Sequence, residues 1–261
     1  MQTSRVFQPE RFKEQALAVR FLAPPPGSRN AVRRKLQSVV SNDRSALTIL
    51  FRSAAVRNKR IPRLTVLSKR LIDIVLAALG LIAVSPLLAA IAALIKLDSP
   101  GPAFYSAPRA GRYGRTFVCF KFRTMICNAD RLKANLRSQN ERQGAFFKIA
   151  RDPRVTPVGR ILRRYSLDEI PQLWNVLLGD MSLVGPRPHP LDDFQFYVPQ
   201  DLRRLDVTPG ITGLWQVTAR TDPSFQRNMA LDLEYIERWT LLMDMRILFK
   251  TIFAVMKGTG A

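Results

Sequence analysis

The stretch from Ile74 to Ile95 constrains this chain more than any other. It sits in KRLIDIVLAALGLIAVSPLLAAIAALIKLDSPGP, and its 22 consecutive residues carry no charge. A helix needs roughly 20 apolar residues to cross a bilayer, so the length suffices for a span. Ser85-Pro86 interrupts it near the middle. Proline lacks an N–H, and its ring clashes with the carbonyl four residues back, here Ile82. A serine beside it can satisfy the freed group, so a kink or break is expected there. Both flanks are basic: Arg57, Lys59, Arg60, Arg63, Lys69 and Arg70 precede the segment, and Lys96, Arg109, Arg112, Arg115, Lys121 and Arg123 follow it. A straight span has its Lys/Arg excess on the cytoplasmic side, whereas two basic flanks suit a segment that enters and leaves on one face. A re-entrant helix-break-helix is therefore favoured over a straight span or a buried helix of a soluble protein. Asp73 lies one helical turn after Lys69 and Arg70, a spacing that places it beside them and would neutralise charge where the chain meets lipid.

Charge narrows the class of partner. Lys and Arg number 41 against 20 Asp and Glu, a net of +21, which points to nucleic acid, acidic lipid or phosphorylated substrates. Residues 1–65 hold 14 of those bases and 3 of the acids. With APPPGSRN as a linker signal, they read as a basic, mobile N-terminal arm attracted to an anionic membrane, or as a solvated tail. MQTSRVFQPERFKEQ has no apolar core of a cleaved leader. Two cysteines and a single histidine argue against a disulfide framework and a zinc site, and a histidine-dependent triad would have to use His189 in the stiff context PRPHP. No nucleic-acid motif is present, and that class of partner gives the apolar run no role.

Beyond the apolar run, Phe104-Tyr105 and Thr116–Phe122 read as a hairpin turning at Gly111 and Gly114. Residues 127–143 read as a polar helix, 167–178 as a short amphipathic one, and 224–240 and 241–257 as two more. In the last, Arg246, Lys250 and Lys257 fall within about 40° on a helical wheel against a broad apolar face, which suits a helix lying in the membrane interface or an ordinary core helix. The expected fold class is α/β, helix-rich and monotopic in the membrane: the arm 1–65, the re-entrant helix 66–98 broken at Ser85-Pro86, and a compact catalytic domain 99–261 with a small β-hairpin and amphipathic interfacial helices.

The chemistry centres on RRYSLDEIPQ, where a chain poor in acids sets Asp168 and Glu169 side by side among arginines. One interpretation is a helix start, since Asp caps helices and acids suit the positive end of the dipole. The other is a phosphate-handling site. Arginine forks match phosphate oxygens, a divalent cation is held by one or two carboxylates plus substrate phosphates, and Asp can attack phosphorus. Asp168 and Glu169 are the candidate metal ligands for Mg²⁺. Adjacent residues point about 100° apart on a helix, which suits one nucleophile and one orienting or metal-binding group. Asp232 falls inside the apolar arc of its helix, and a buried acid needs a partner: either an arginine or the active site. Lys121 and Arg123, if strand alternation continues, share a face with Cys119, either an anion-facing surface that would make Arg123 substrate-binding or a solvated one. Pro-Arg-Pro aims Arg187, and Arg220 ends TPGITGLWQVTAR.

Five stretches taken together (KRLIDIVLAALGLIAVSPL, GPAFYSAPRAGRYGRTFVCFKFRTM, DPRVTPVGRILRRYSLDEIPQLWNVLLGDMSLVGPRP, PGITGLWQVTAR and LDLEYIERWTLLMDMRIL) resemble the bacterial sugar transferase family, monotopic polyprenyl-phosphate phosphoglycosyl transferases that begin exopolysaccharide and O-antigen assembly. They run in order over roughly 68–257; residues 1–65 have no counterpart in the minimal core. The resemblance implies a re-entrant helix at Ser85-Pro86 and a catalytic dyad Asp168-Glu169. It further implies attack by Asp168 on the β-phosphate of a UDP-sugar with release of UMP, transfer to undecaprenyl phosphate, and assistance from Mg²⁺. It makes Lys121 and Asp232 positions needed for activity, and Arg163, Arg187 and Arg220 contacts to nucleotide sugar or phosphate. The implied location is the cytosolic face of the bacterial inner membrane. Oligomeric state stays open, a homodimer being the assembly to test.

Overall fold

In the computed structural model, residues 62–258 are described, apart from 133–134, 137–139, 141–148, 150, 192, 194–196 and 198. Residues 1–61 of the basic arm and eight of the seventeen residues of the expected polar helix 127–143 therefore lie outside the described residues; of the nine described, only α2 (Ala129–Leu132) is helical, and the others lie in turns or irregular backbone.

Helix α1 runs from Arg63 to Asp98, 36 residues. The expected break at Ser85-Pro86 is not in it: helical structure continues through Pro86. The Ser85 hydroxyl donates to the Ile82 carbonyl at 2.9 Å, the acceptor that proline leaves unserved. One face of α1 is inward, with Asp73, Ala77, Ile91 and Ile95 buried, and full burial of each isoleucine stabilises by about 1.5–3 kcal/mol. The rest is open: Leu79 is 59% and Ile82 72% exposed, so α1 is not the core helix of a soluble protein. Asp73 does not neutralise its helical neighbours. It accepts the Leu183 backbone N–H at 3.1 Å, while Lys69 pairs with Asp244 at 2.6 Å. Arg70 donates to the carbonyls of Val176 and Leu177.

The hairpin forms as expected. Strand β1 (Phe104–Ala110) pairs antiparallel with β2 (Thr116–Phe122), from Phe104 opposite Phe122 to Ala110 opposite Thr116. Helix α3 (Pro157–Arg164) starts at Thr156, whose side chain accepts from Gly159 N, with Pro157 in the first turn, where a missing N–H costs nothing. A Cβ on Gly159 would lie 2.1 Å from the Thr124 carbonyl oxygen, so only glycine lets α3 seat against the end of β2. A 3₁₀ turn, Leu167–Glu169, leads into α4 (Gln172–Leu178). The last carbonyls of α4 are among the orphans of any helix end, and Arg70 takes up two of them.

Two three-residue strands, β3 (Ser182–Val184) and β4 (Gly210–Thr212), pair in parallel. A 3₁₀ stretch, Pro199–Asp206, lies between them, and α5 (Leu214–Thr218) follows. Helices α6 (Phe225–Arg238) and α7 (Leu241–Met256) are capped by Ser224 and Thr240, whose side chains accept from Arg227 N and Met243 N. The main core joins Ala77 of α1, Phe117 and Cys119 of β2, Val176 of α4, Val184 of β3, Tyr235 of α6 and Ile247 of α7. The architecture is helix-rich α/β with one long apolar helix.

Candidate active site

The two acids meet their bases because β2 and α4 are locked together. Asn175 of α4 is fully buried. Its Oδ1 accepts the Phe120 N–H at 3.0 Å and its Nδ2 donates to the Val118 carbonyl at 2.7 Å, so one amide pairs with β2 as a neighbouring strand would. Phe117 and Cys119 face the core, and Lys121 emerges at the end of that same face, half-buried. Its Nζ lies 2.6 Å from Glu169 Oε1 and 3.9 Å from Asp168 Oδ2.

Neither acid caps the helix. Ser166, at the left-handed φ of 56°, leads the 3₁₀ turn with no side-chain cap, and Pro171 precedes α4. Glu169 is held from both sides: Lys121 and Arg187 Nη2 both reach Oε1, and Arg187 Nη1 donates to Oε2 at 3.0 Å. Burial works to raise its pKa, but Arg187 and Lys121 outweigh it and hold the carboxyl well below the usual range. Burial opposes the Arg187 charge too, and Glu169 more than offsets it. Asp168 is different. Its carboxylate makes no hydrogen bond to any described residue, and burial pushes its pKa up, with Lys121 opposing and Glu169 adding. One acid of the dyad is thus locked as an anion, and the other is left with its lone pairs available.

The remaining candidates divide. Arg163 donates from Nε to Thr124 Oγ1 at 2.9 Å, and Asp168 acts on its charge, so it borders the dyad. Arg220 donates to Ser166 Oγ at 2.6 Å. Arg109, which sequence reasoning did not single out, is depressed by burial and feels Cys119 and Arg187. Arg123 goes elsewhere. It is buried and donates to the carbonyls of Ile95, Ser99 and Pro100. It closes the C-terminus of α1 instead of facing the dyad, because β2 ends at Phe122 and the alternation does not reach it.

Asp232 joins the site through an intermediary. It is buried in α6 and pairs with Arg204 at 2.6 Å, the arginine partner that its apolar surround demanded. Arg204 carries that pair to the site: its Nη2 donates to the Arg187 carbonyl at 2.7 Å and its Nη1 to the Tyr197 hydroxyl. Arginine only donates, so the Tyr197 hydroxyl accepts from Arg204, and it lies 2.8 Å from His189 Nδ1. Burial, then Arg204, keeps His189 neutral and opposes the proton uptake that the base of a triad performs. Asp232, Arg204, Tyr197 and His189 therefore brace the Pro-Arg-Pro backbone from behind. Sequence analysis had Asp232 as the signal, an acid on an apolar face, but its partner lies 28 residues away.

A cluster of this kind, four bases around one locked and one available carboxylate, suits transfer of a phosphoryl group, where positioning and charge neutralisation dominate. A family model, "Bacterial sugar transferase", matches residues 64–258. The exopolysaccharide production protein ExoY of Sinorhizobium fredii is 44% identical over 199 residues, 75% of this chain and 88% of that protein. An undecaprenyl-phosphate galactose phosphotransferase of Salmonella typhimurium is 41% identical over 210 residues, 79% of this chain and 44% of its own length. A UDP-glucose:undecaprenyl-phosphate glucose-1-phosphate transferase of Caulobacter vibrioides is 42% identical over 210 residues, 77% of this chain and 74% of that protein. With the dyad, its bases and the long apolar helix all inside the matched region, the chain belongs to the bacterial sugar transferase family.

Proposed function

We propose that the protein transfers a sugar-1-phosphate from a UDP-sugar to undecaprenyl phosphate at the cytosolic face of the bacterial inner membrane, the first membrane step of an exopolysaccharide or O-antigen. The observation that carries this is the asymmetry of the dyad: Glu169 is engaged by Lys121 and Arg187, while Asp168 has no hydrogen bond among the described residues. A buried carboxylate left in that state is a nucleophile. An Asp168 oxygen attacks the β-phosphorus, the bond from that phosphorus to the bridging oxygen breaks, and UMP leaves with the oxygen. A phosphate oxygen of the lipid then attacks the same phosphorus, the bond to Asp168 breaks, and the carboxylate is restored. Arg187 and Lys121, fixed by Glu169, present positive charge where the phosphoryl oxygens gain negative charge. Arg163 and Arg220 border the same space.

Mg²⁺ fits this donor set in one way. No group of three or more acidic, His or Cys ligands occurs among the described residues, and the Glu169 oxygens already take two cations. Of the metal pair expected from sequence, Asp168 is the better placed, as a single carboxylate beside the substrate's own phosphates. When bound there, Mg²⁺ would neutralise the diphosphate and the departing UMP.

The test is nucleotide release from a panel of UDP-sugars by detergent-solubilised protein, with Mg²⁺ and undecaprenyl phosphate. UMP is expected from one sugar, lost on omission of Mg²⁺ and in Asp168→Asn. UDP as the product would overturn the phosphosugar intermediate.

A further inference from the structure

A basic hollow lies at the foot of α7, with Arg220 in its wall. The hollow, of about 330 Å³, is lined by Arg220, Lys250 and Lys257, with Thr218, Thr221 and Phe253 among its walls. That volume is at the small end of ligand pockets, which run from about 300 to 1,000 Å³. Lys250 and Lys257 are seven residues apart, two turns of one helix, so both ammonium groups project the same way. Among the described residues no acidic side chain lines the hollow, which suits it to an anionic ligand.

What adjoins the hollow says what kind of anion that is. Leu242, Met245, Phe249, Ile252, Phe253 and Met256 are all exposed on α7. At 100° per residue they occupy an arc of about 100°, and Arg246, Lys250 and Lys257 border its edge. An uncovered apolar stripe edged by cations is the pattern of a helix lying in the membrane interface. Phe253 belongs to both features, lining the hollow and standing 49% exposed in the stripe. A ligand that fits both has a phosphate at one end and a hydrocarbon chain at the other. Arg220 then links the hollow to the chemistry, because it also holds Ser166, two residues before Asp168.

We infer that this hollow binds the monophosphate headgroup of the polyprenyl acceptor, with Lys250, Lys257 and Arg220 around the phosphate and the prenyl chain along the exposed α7 stripe. The inference rests on the transferase function proposed above. It places the acceptor on the Arg220 side of the dyad, where its phosphate oxygen can reach the phosphorus held on Asp168.

Full-length protein in phosphatidylcholine nanodiscs would be titrated with farnesyl phosphate, and with farnesol as the control lacking the phosphate. Wild type is expected to bind farnesyl phosphate and to discriminate against farnesol. Lys250→Gln/Lys257→Gln should weaken farnesyl phosphate binding about ten-fold or more, the scale of lost hydrogen bonds to a charged group. Arg246→Gln, on the same basic edge but outside the hollow, should leave it unchanged. Equal affinity in all three proteins, or equal binding of farnesol, would overturn the site. Displacement of the probe by equimolar phosphatidylglycerol would make it a general lipid headgroup site and would also overturn it. UMP release is read separately. A protein that binds the probe as described yet releases no UMP from any UDP-sugar would remove the reaction and keep the site.

Discussion

Three opposing influences act on the Asp168 carboxyl. Burial raises its pKa, Lys121 pulls it back down and Glu169 pushes it up again. The proposed mechanism needs the carboxylate, so the single-turnover rate of UMP formation should fall as pH drops through this raised pKa, above the ordinary aspartate range. Lys121→Met removes the main opposing charge and should move the acid limb to higher pH. Glu169→Gln removes the like charge and should move it to lower pH. Shifts in the same direction in both variants would mean that the limb does not report Asp168. Behind the dyad, Asp232 and Arg204 form a buried pair, and leaving one partner of such a pair alone costs about 3–5 kcal/mol. Asp232→Asn is expected to lower thermal stability and, by loosening the Arg187 carbonyl, to reduce kcat. In a double-mutant cycle with Arg204→Met the two losses should fall short of additive. The dyad itself was legible in the sequence, because two acids stand out in a run of arginines. Arg204 and Asn175 were not: each acts through a partner far along the chain, and nothing local marks the pairing.

Arginines on one element closing the ends of another give the helices their positions. Arg70 takes the last carbonyls of α4, and Arg123 takes the Ile95 carbonyl of α1 with those of Ser99 and Pro100 just past its end. A Cβ at Gly101, whose φ is +122°, would lie 2.9 Å from Arg123 Nη1, so the turn after α1 is built around that guanidinium. Arg123→Ala should therefore cost about 2–4 kcal/mol, from hydrogen bonds of a charged donor left unmade. Chemical denaturation would read this loss. The KM for UDP-sugar should stay at the wild-type value, and a raised KM with unchanged stability would return Arg123 to the substrate. Elements with local signals were readable in advance: α6 and α7 begin at the Ser224 and Thr240 caps, and the hairpin turns at its glycines. The β3–β4 pair was not, since its strands are three residues long and 28 positions apart. The expected break at Pro86 failed for a local reason, because the Ser85 hydroxyl meets the orphaned Ile82 carbonyl and the helix carries on.

At the scale of the whole molecule, the two ends of α1 determine its relation to the membrane. Near its start, Lys69 pairs with Asp244 of α7, and Asp73 takes the Leu183 N–H of β3. Near its end, Ile91 and Ile95 pack with Ala103, Phe122 and Leu162. Asp73 and Ile95 are separated by 22 residues, about 33 Å of helix, which matches the ~30 Å hydrocarbon thickness. A straight span would put these ends on opposite sides of the bilayer. Yet both are docked on one body, since β2 carries Phe122 and is itself pinned to α4 by Asn175. That body cannot lie on both sides at once, so α1 is expected to dip into one leaflet and present its open face to lipid, with both basic flanks on the same side. A cysteine placed at Ser68 or at Leu97, in a Cys127→Ser background whose remaining Cys119 is buried, tests this. A membrane-impermeant maleimide should label neither position in intact cells and both after permeabilisation, as it should Cys127 in the wild type. Labelling of either position alone in intact cells would establish a span and would require the contacts at one end of α1 to be undone in the membrane.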